Sequence, residues 1–280
     1  MNNIKEQAIF ELRKVCDAQK IVYINKTRRI LKSKDTESQK IRSINEIHLT
    51  FEFDFKNIIS EYSYVVCLFA LKQASKELEI KYVKRLSSEI KSWIKATTET
   101  VSDKYFNEVN QAVTLPIIDN IGKGLSDKEL LYKMSLIFDD IKENRPKRII
   151  EGIEGKALFR GRDLAMRIIN GDFNIKAEGF STQTIDDILE EEGVVAAQWS
   201  AVLDSHVCEL CASLDGRIID IEDPDYAYYS PGEIHLNCRC LWVYIKGTER
   251  PENRQINWKA PKSALLKEYA RPEIRGLEEE

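Results

Sequence analysis

Neither glycine nor proline occurs before Pro116. Without these breakers, nothing in the first 115 residues obliges a helix to stop, and the expectation is of long, uninterrupted helices. Apolar periodicity agrees. Ile4, Ala8, Leu12 and Val15 share one helical face, and Val83, Leu86, Ile90 and Ile94 repeat the pattern. "FEFDF", residues 51–55, alternates strictly and alone would suit a short strand, but its neighbourhood favours helix.

A long hydrophobic run is also missing. The most apolar stretch, "YVVCLFAL" at 64–71, falls far short of the roughly 20 residues that span a bilayer. The amino-terminal "MNNIKEQAIFELRKVC" carries charges every few residues and no signal-peptide core. Positive charge is not in excess either. Forty-two Lys and Arg against 46 Asp and Glu give a net charge of −4, so no global basic field draws the chain to nucleic acid or anionic lipid. With 43% hydrophobic residues, disorder is excluded, and 280 residues can build one large or two modest domains. The expectation is a soluble, cytosolic chain with no membrane partner.

Beyond Pro116 the texture changes. "NIGKGLSDKELLYKMSLIFDDI" reads as helix, glycine turn and new helix, with Ser126 and Glu129 in a capping-box pattern. Leu130, Leu131, Met134, Ile137, Phe138 and Ile141 form its apolar stripe. A further helix is expected around 156–177, and a short one from Thr184 to Gly193. "VVAAQWSAVLD", ending at Asp204, and "CLWVYI", 240–245, read as strands. The fold class is therefore α+β. A helical region over 1–115 leads into a small module over 116–245, and an extended tail occupies 246–280.

Cysteine and histidine are scarce, six and three in the chain, yet five of these nine lie between Cys208 and Cys240. Cys16 and Cys67 stand apart in helical, apolar surroundings and read as ordinary buried residues. Zinc takes four tetrahedral thiolate or imidazole ligands, commonly as two close pairs. Cys208-Glu-Leu-Cys211 is one such pair. His235-x-x-Cys238 copies its spacing, and Cys240 is the alternative if the backbone there is extended. Five donors compete for four places, with His206 a weaker sixth. The module is thus expected to be stapled by one structural zinc. Reduced thiols without metal, a redox-active CxxC and disulfides are the alternatives. A catalytic zinc needs an open position and a general base. HExxH is absent, and the order of His and CxxC is the reverse of that in nucleobase deaminases. Eight acidic residues and one arginine lie between Asp204 and His235, which would repel a phosphate backbone. No enzymatic activity is expected.

These residues also resemble a family. Trp199, Leu203-Asp204, Cys208, Cys211, Leu214-Asp215-Gly216, Pro231, His235 and Cys238-Arg239-Cys240 follow the pattern of the phage Mu F-like head morphogenesis family. Upstream, "GLSDKELLYKM" and "GRDLAMRIINGDFNIKAEGF" resemble its helix start and arginine-led helix. Two departures stand out: Ile168-Ile169 replaces the usual Thr-Glu after Arg167, and Gly232-Glu233-Ile234 stands where proline more often lies near the histidine. The resemblance implies a minor capsid protein that joins the head through the portal, in the virion and, during assembly, in the bacterial host cytoplasm. Implied partners are the portal and other capsid or scaffold proteins, with a part in DNA packaging or delivery.

Asp215-Gly216 reads as a hairpin turn with left-handed backbone angles, Trp199 as a core residue, and Asp204 as a loop brace. Arg239 is either a donor to a ligand or an exposed strand-end residue. "KTRRILKSK", 26–34, has five basic residues in nine and reads either as a solvated helix end or as a contact to packaged DNA. The competing functions are therefore a DNA-contacting head protein and, further off, a zinc-dependent hydrolase.

Overall fold

The computed structural model describes residues 1–121, 123, 125–179, 193–201, 207–231, 234–235 and 238–247. Six helices carry most of the first 177 residues: α1 (Asn2–Leu31), α2 (Glu37–Asn45), α3 (Glu52–Glu77), α4 (Ser88–Ile118), α5 (Asp127–Ile169) and the short α6 (Phe173–Ala177). After them come β1 (Val194–Ser200), α7 (Glu209–Leu214), β2 (Ile218–Asp220), α8 (Pro224–Tyr228) and β3 (Leu241–Lys246). The strands form one antiparallel sheet in the order β2-β1-β3, so the expected α+β class holds. Among the described residues, no helix is long and apolar enough to cross a membrane. The expected tail from 248, the helix over 184–192 and the strand residues 202–204 lie outside the described residues.

Helices do stop within the glycine- and proline-free stretch, which corrects the expectation of uninterrupted ones. Capping does the work. Thr36 and Gln39 bond reciprocally to each other's backbone and open α2. At the end of α3, Glu79 adopts φ 61°, Ile80 N–H donates to Ser75 O at 2.9 Å, and Glu79 N–H donates to Lys76 O at 3.3 Å. That is a Schellman closure with glutamate where glycine is usual. Val83 and Leu86 consequently precede α4, which begins where Ser87 Oγ accepts Ile90 N–H. "FEFDF" is helical from Glu52 onward. The Ser126–Glu129 capping box forms as read. The helix expected over 130–141 and most of that expected over 156–177 are instead one 43-residue helix, α5, which contains Pro146, and the end of the second is the separate α6. Its proline forgoes one backbone bond without ending the helix.

The chain divides into two compact units, Met1–Tyr62 with Trp93–Ile150, and Ser63–Ser92 with Glu151–Glu280. In the first, Leu12, Tyr23, Phe55, Ile59, Val113, Met134 and Phe138 are buried. Phe55 stacks on Tyr105 at 4.6 Å. Tyr105 O–H donates to Gln19 at 3.2 Å and lies 3.0 Å from Cys16 Sγ, so these three buried polar groups partner one another. Cys16 and Cys67 are both buried free thiols, as read.

In the second unit, α3 and α5 meet at Gly161. A Cβ there would lie 2.1 Å from Cys67 O and 2.8 Å from Ala70 Cβ. This close approach brings Arg162 to the sheet. Its Nε donates to Trp242 O at 3.0 Å, and its two terminal nitrogens clasp the Glu77 carboxylate. Asn170, one residue past α5, pairs with the Val194 backbone in both directions and fixes the start of β1. In the sheet, Trp199 and Trp242 are register partners whose rings meet edge to face at 5.1 Å.

We expect Gly161→Ala to cost about 2–3 kcal/mol, because backbone rather than a flexible side chain occupies the added methyl's place; urea denaturation measures this, and an unchanged midpoint would contradict the packing described. Asp163, beside Arg162, accepts a bond from Tyr226 O–H at 3.3 Å. Burial pushes its carboxyl up to about 6, with Arg167 and Arg160 pulling the other way. In the unfolded chain it titrates near pH 4. Between about pH 4 and 6 the native state therefore binds the extra proton, and stability falls as pH rises through that window. Asp163→Asn should flatten this fall in denaturation curves taken from pH 4 to 7; an unaltered slope would exclude Asp163 as its source.

Candidate metal centre

The first half of the site is built by α7. Cys208 has extended backbone, φ −80° and ψ 157°, and caps the helix, so its Sγ accepts Cys211 N–H at 3.3 Å. One turn of helix then turns Cys211 toward the same point. The segment that follows locks this turn onto the sheet. Asp215 (φ −55°, ψ 132°) and Gly216 (φ 77°) make a turn closed by Arg217 N–H to Leu214 O at 3.0 Å. A positive φ there requires glycine or strain. Gly216 N–H donates to Trp199 O at 2.8 Å, Trp199 N–H donates to Arg217 O at 2.7 Å, and Asp215 Oδ1 accepts Ala201 N–H at 2.8 Å. The Leu-Asp-Gly turn thus joins a helix to a strand. The expected hairpin between two strands does not occur, because the cysteine pair needs a helical turn just before it.

The second half is the turn ahead of β3. Buried Ile234 donates its N–H to Ser230 O at 3.1 Å, and Cys238 N–H donates to His235 O at 3.4 Å. The His235–Cys238 turn therefore has the same three-residue reach as the first pair.

The two halves meet. His235 Nε2 lies 3.2 Å from Cys208 Sγ and 2.9 Å from Cys211 Sγ, and Cys211 Sγ lies 3.8 Å from Cys238 Sγ. The donor atoms of Cys208, Cys211 and His235 are within 4.8 Å of one another, as are those of Cys211, Cys238 and Cys240. Two sulfurs each about 2.3 Å from a tetrahedral zinc stand about 3.8 Å apart, and a sulfur and a nitrogen about 3.5 Å apart. The sulfur edge matches, and the two imidazole contacts are a few tenths of an ångström tighter. Cys211, Cys238 and Cys240 are buried, Cys208 and His235 half-buried, and all six cysteines of the chain are free.

Charge in the cluster is uneven. Cys211, donating to its neighbours, holds the Cys208 thiol down to about 4, with His235 adding to the effect. Cys238 lies well below the ordinary thiol range, first through Cys211 and then through Cys240. Cys211 is pushed up, as the shared proton holder beside Cys208, Cys238 and Cys240. Thiolates gathered around an imidazole are the donor set that a soft divalent cation neutralises. The residues fit zinc.

Trp199 is fully buried, as read, and Arg239 is exposed between Cys238 and Cys240. His206, Asp204 and Glu233 lie outside the described residues. Sequence reasoning missed Arg162 as the brace that ties α5 to β3. The signal was available: Arg162 occupies an apolar helical register with Phe159, Ala165, Met166 and Ile169, all of them buried.

No curated protein and no solved structure gives a significant match to this chain. One family model does, that described as Phage Mu protein F like protein, over residues 178–243. Those residues hold all five candidate donors, both tryptophans of the sheet and the Leu-Asp-Gly turn, so over this segment the chain is similar to the Phage Mu F-like family.

Proposed function

We propose that this protein is a head morphogenesis component of a tailed phage or prophage, a minor capsid protein that joins the assembling head at the portal. The observation that carries the reading is the convergence of two Cys/His turns inside the segment matched to the Mu F-like family. On this reading Cys208, Cys211, His235 and Cys238 hold one structural zinc, with Cys240 beside them as the spare thiol. Zinc supplies folding energy to a module whose core is small, with three short strands, two one-turn helices and the paired tryptophans among its described residues from Val194 onward. Four protein ligands fill a tetrahedral ion and leave no position for substrate, so the role is structural rather than hydrolytic. The partners are head proteins, with the helical N-terminal half offering the surface for them, and the place of action is the virion.

Protein purified without chelator should contain about one zinc per chain. Cys211→Ser should lose it, because Cys211 is the donor common to both groups; Cys240→Ser should keep it. Hydrogen exchange in the Cys211 variant should quicken over 207–247 while α1, α3 and α4 stay protected. Full zinc content in Cys211→Ser would overturn the ligand set. Separately, a tagged chain expressed during phage induction should bring down the portal protein and appear in purified heads. Heads that assemble without it, and a pull-down free of head proteins, would contradict the assembly role.

A further inference from the structure

We infer that the C-terminal end of α1 is a contact surface for the phosphate backbone of duplex DNA, read without regard to base sequence. Residues 18–34 contain six basic residues and no acidic one, in a chain whose net charge is −4. Thr27 and Leu31 are buried, while Lys26, Arg28, Arg29, Lys32 and Lys34 are all exposed. At 100° per residue, Arg28, Lys32, Arg29 and Lys26 fan across the arc opposite the buried pair. Their charges are not spent internally. Elsewhere in the same compact unit several basic side chains are matched: Arg13 with Glu143, Lys20 with Asp139, Lys56 with Glu52 and Glu99, Lys142 with Asp17, and Arg145 with Glu108. Lys26, Arg28, Arg29, Lys32 and Lys34 pair with no carboxylate among the described residues. Arg28 donates only to the neutral Asn25 side chain, at 2.9 Å.

Helix-end electrostatics favour cations in the last turn. That accounts for Arg28, Arg29 and Lys32, but not for Lys26 a turn earlier or Lys34 beyond the end. Lys40 Nζ already serves the α1 terminus by donating to Leu31 O at 2.7 Å. An acidic protein partner is the rival occupant. Protein interfaces, however, are built on a buried apolar centre and are poor in lysine. Between Lys26 and Lys34 no large apolar side chain is exposed, and three of the five charges are lysine. From Lys26 to Lys32 the helix rises roughly 9 Å, a length over which duplex DNA presents about five phosphates. The surface lies outside the segment matched to the Mu F-like family, so it is independent of the metal centre.

The test is anisotropy titration of a labelled 20-base-pair duplex, in two unrelated sequences, with the full chain at 50 and 200 mM salt. With about four phosphates neutralised, affinity should fall roughly 100-fold between these conditions, equally for both duplexes. The triple variant Lys26→Gln, Arg29→Gln, Lys32→Gln, with helicity checked by circular dichroism, should bind at least 10-fold more weakly at low salt and lose most of the salt dependence. Absence of binding by the native chain, or the same salt slope in the triple variant, overturns the proposal. So does a triple variant that fails to capture head proteins when the native chain binds no DNA, which would assign the surface to an acidic protein. Zinc content and capture of the portal by the native chain do not depend on this result.

Discussion

The C-terminal module is organised around the meeting of two short turns, Cys208–Cys211 and His235–Cys238. Twenty-three residues separate Cys211 from His235, and among the described residues of that interval the chain makes the end of α7, β2, the short α8 and loops. So little secondary structure cannot by itself hold two turns at one point. The surrounding arrangement works to that end. The Leu-Asp-Gly turn pins α7 to β1, the strand pairing of Trp199 with Trp242 carries β3 back beside it, and Arg162 ties β3 to the long α5 helix. Each link holds one side of the cluster, and the thiolate and imidazole groups face each other in consequence.

Much of the cluster was legible beforehand because its information is local. CxxC and HxxC spacings encode a turn that aims two side chains one way, and that geometry is nearly independent of what lies around it. The same holds for the capping box at Ser126 and for the strands at Trp199 and Trp242, whose alternation and β-branched content survive any context. Helix ends were less legible. Glu79 closes α3 in a left-handed conformation that ordinarily calls for glycine, and Pro146 sits inside α5 without ending it. In both places tertiary packing outweighs a local preference worth about 1–3 kcal/mol. Arg162 was hidden for a different reason: its partners, Glu77 and the Trp242 carbonyl, are 85 and 80 residues away in sequence.

The two compact units differ in how they are held. The first relies on apolar packing, with a few buried hydroxyl, thiol and amide contacts and a rim of ion pairs. Exposed pairs of this kind add little individually. The second combines a close helix crossing at Gly161, a buried arginine, a titratable aspartate and the sulfur cluster. Polar and ionic groups are concentrated where the sheet is too small to supply a core. A metal would add there what apolar area cannot.

X-ray absorption at the zinc edge, on the full chain purified from zinc-sufficient cells, bears most directly on this account. A nearest shell of about three sulfurs near 2.3 Å and one nitrogen near 2.0–2.1 Å is expected from Cys208, Cys211, Cys238 and His235. A shell of oxygen and nitrogen alone, or protein that carries no stoichiometric zinc, would contradict it.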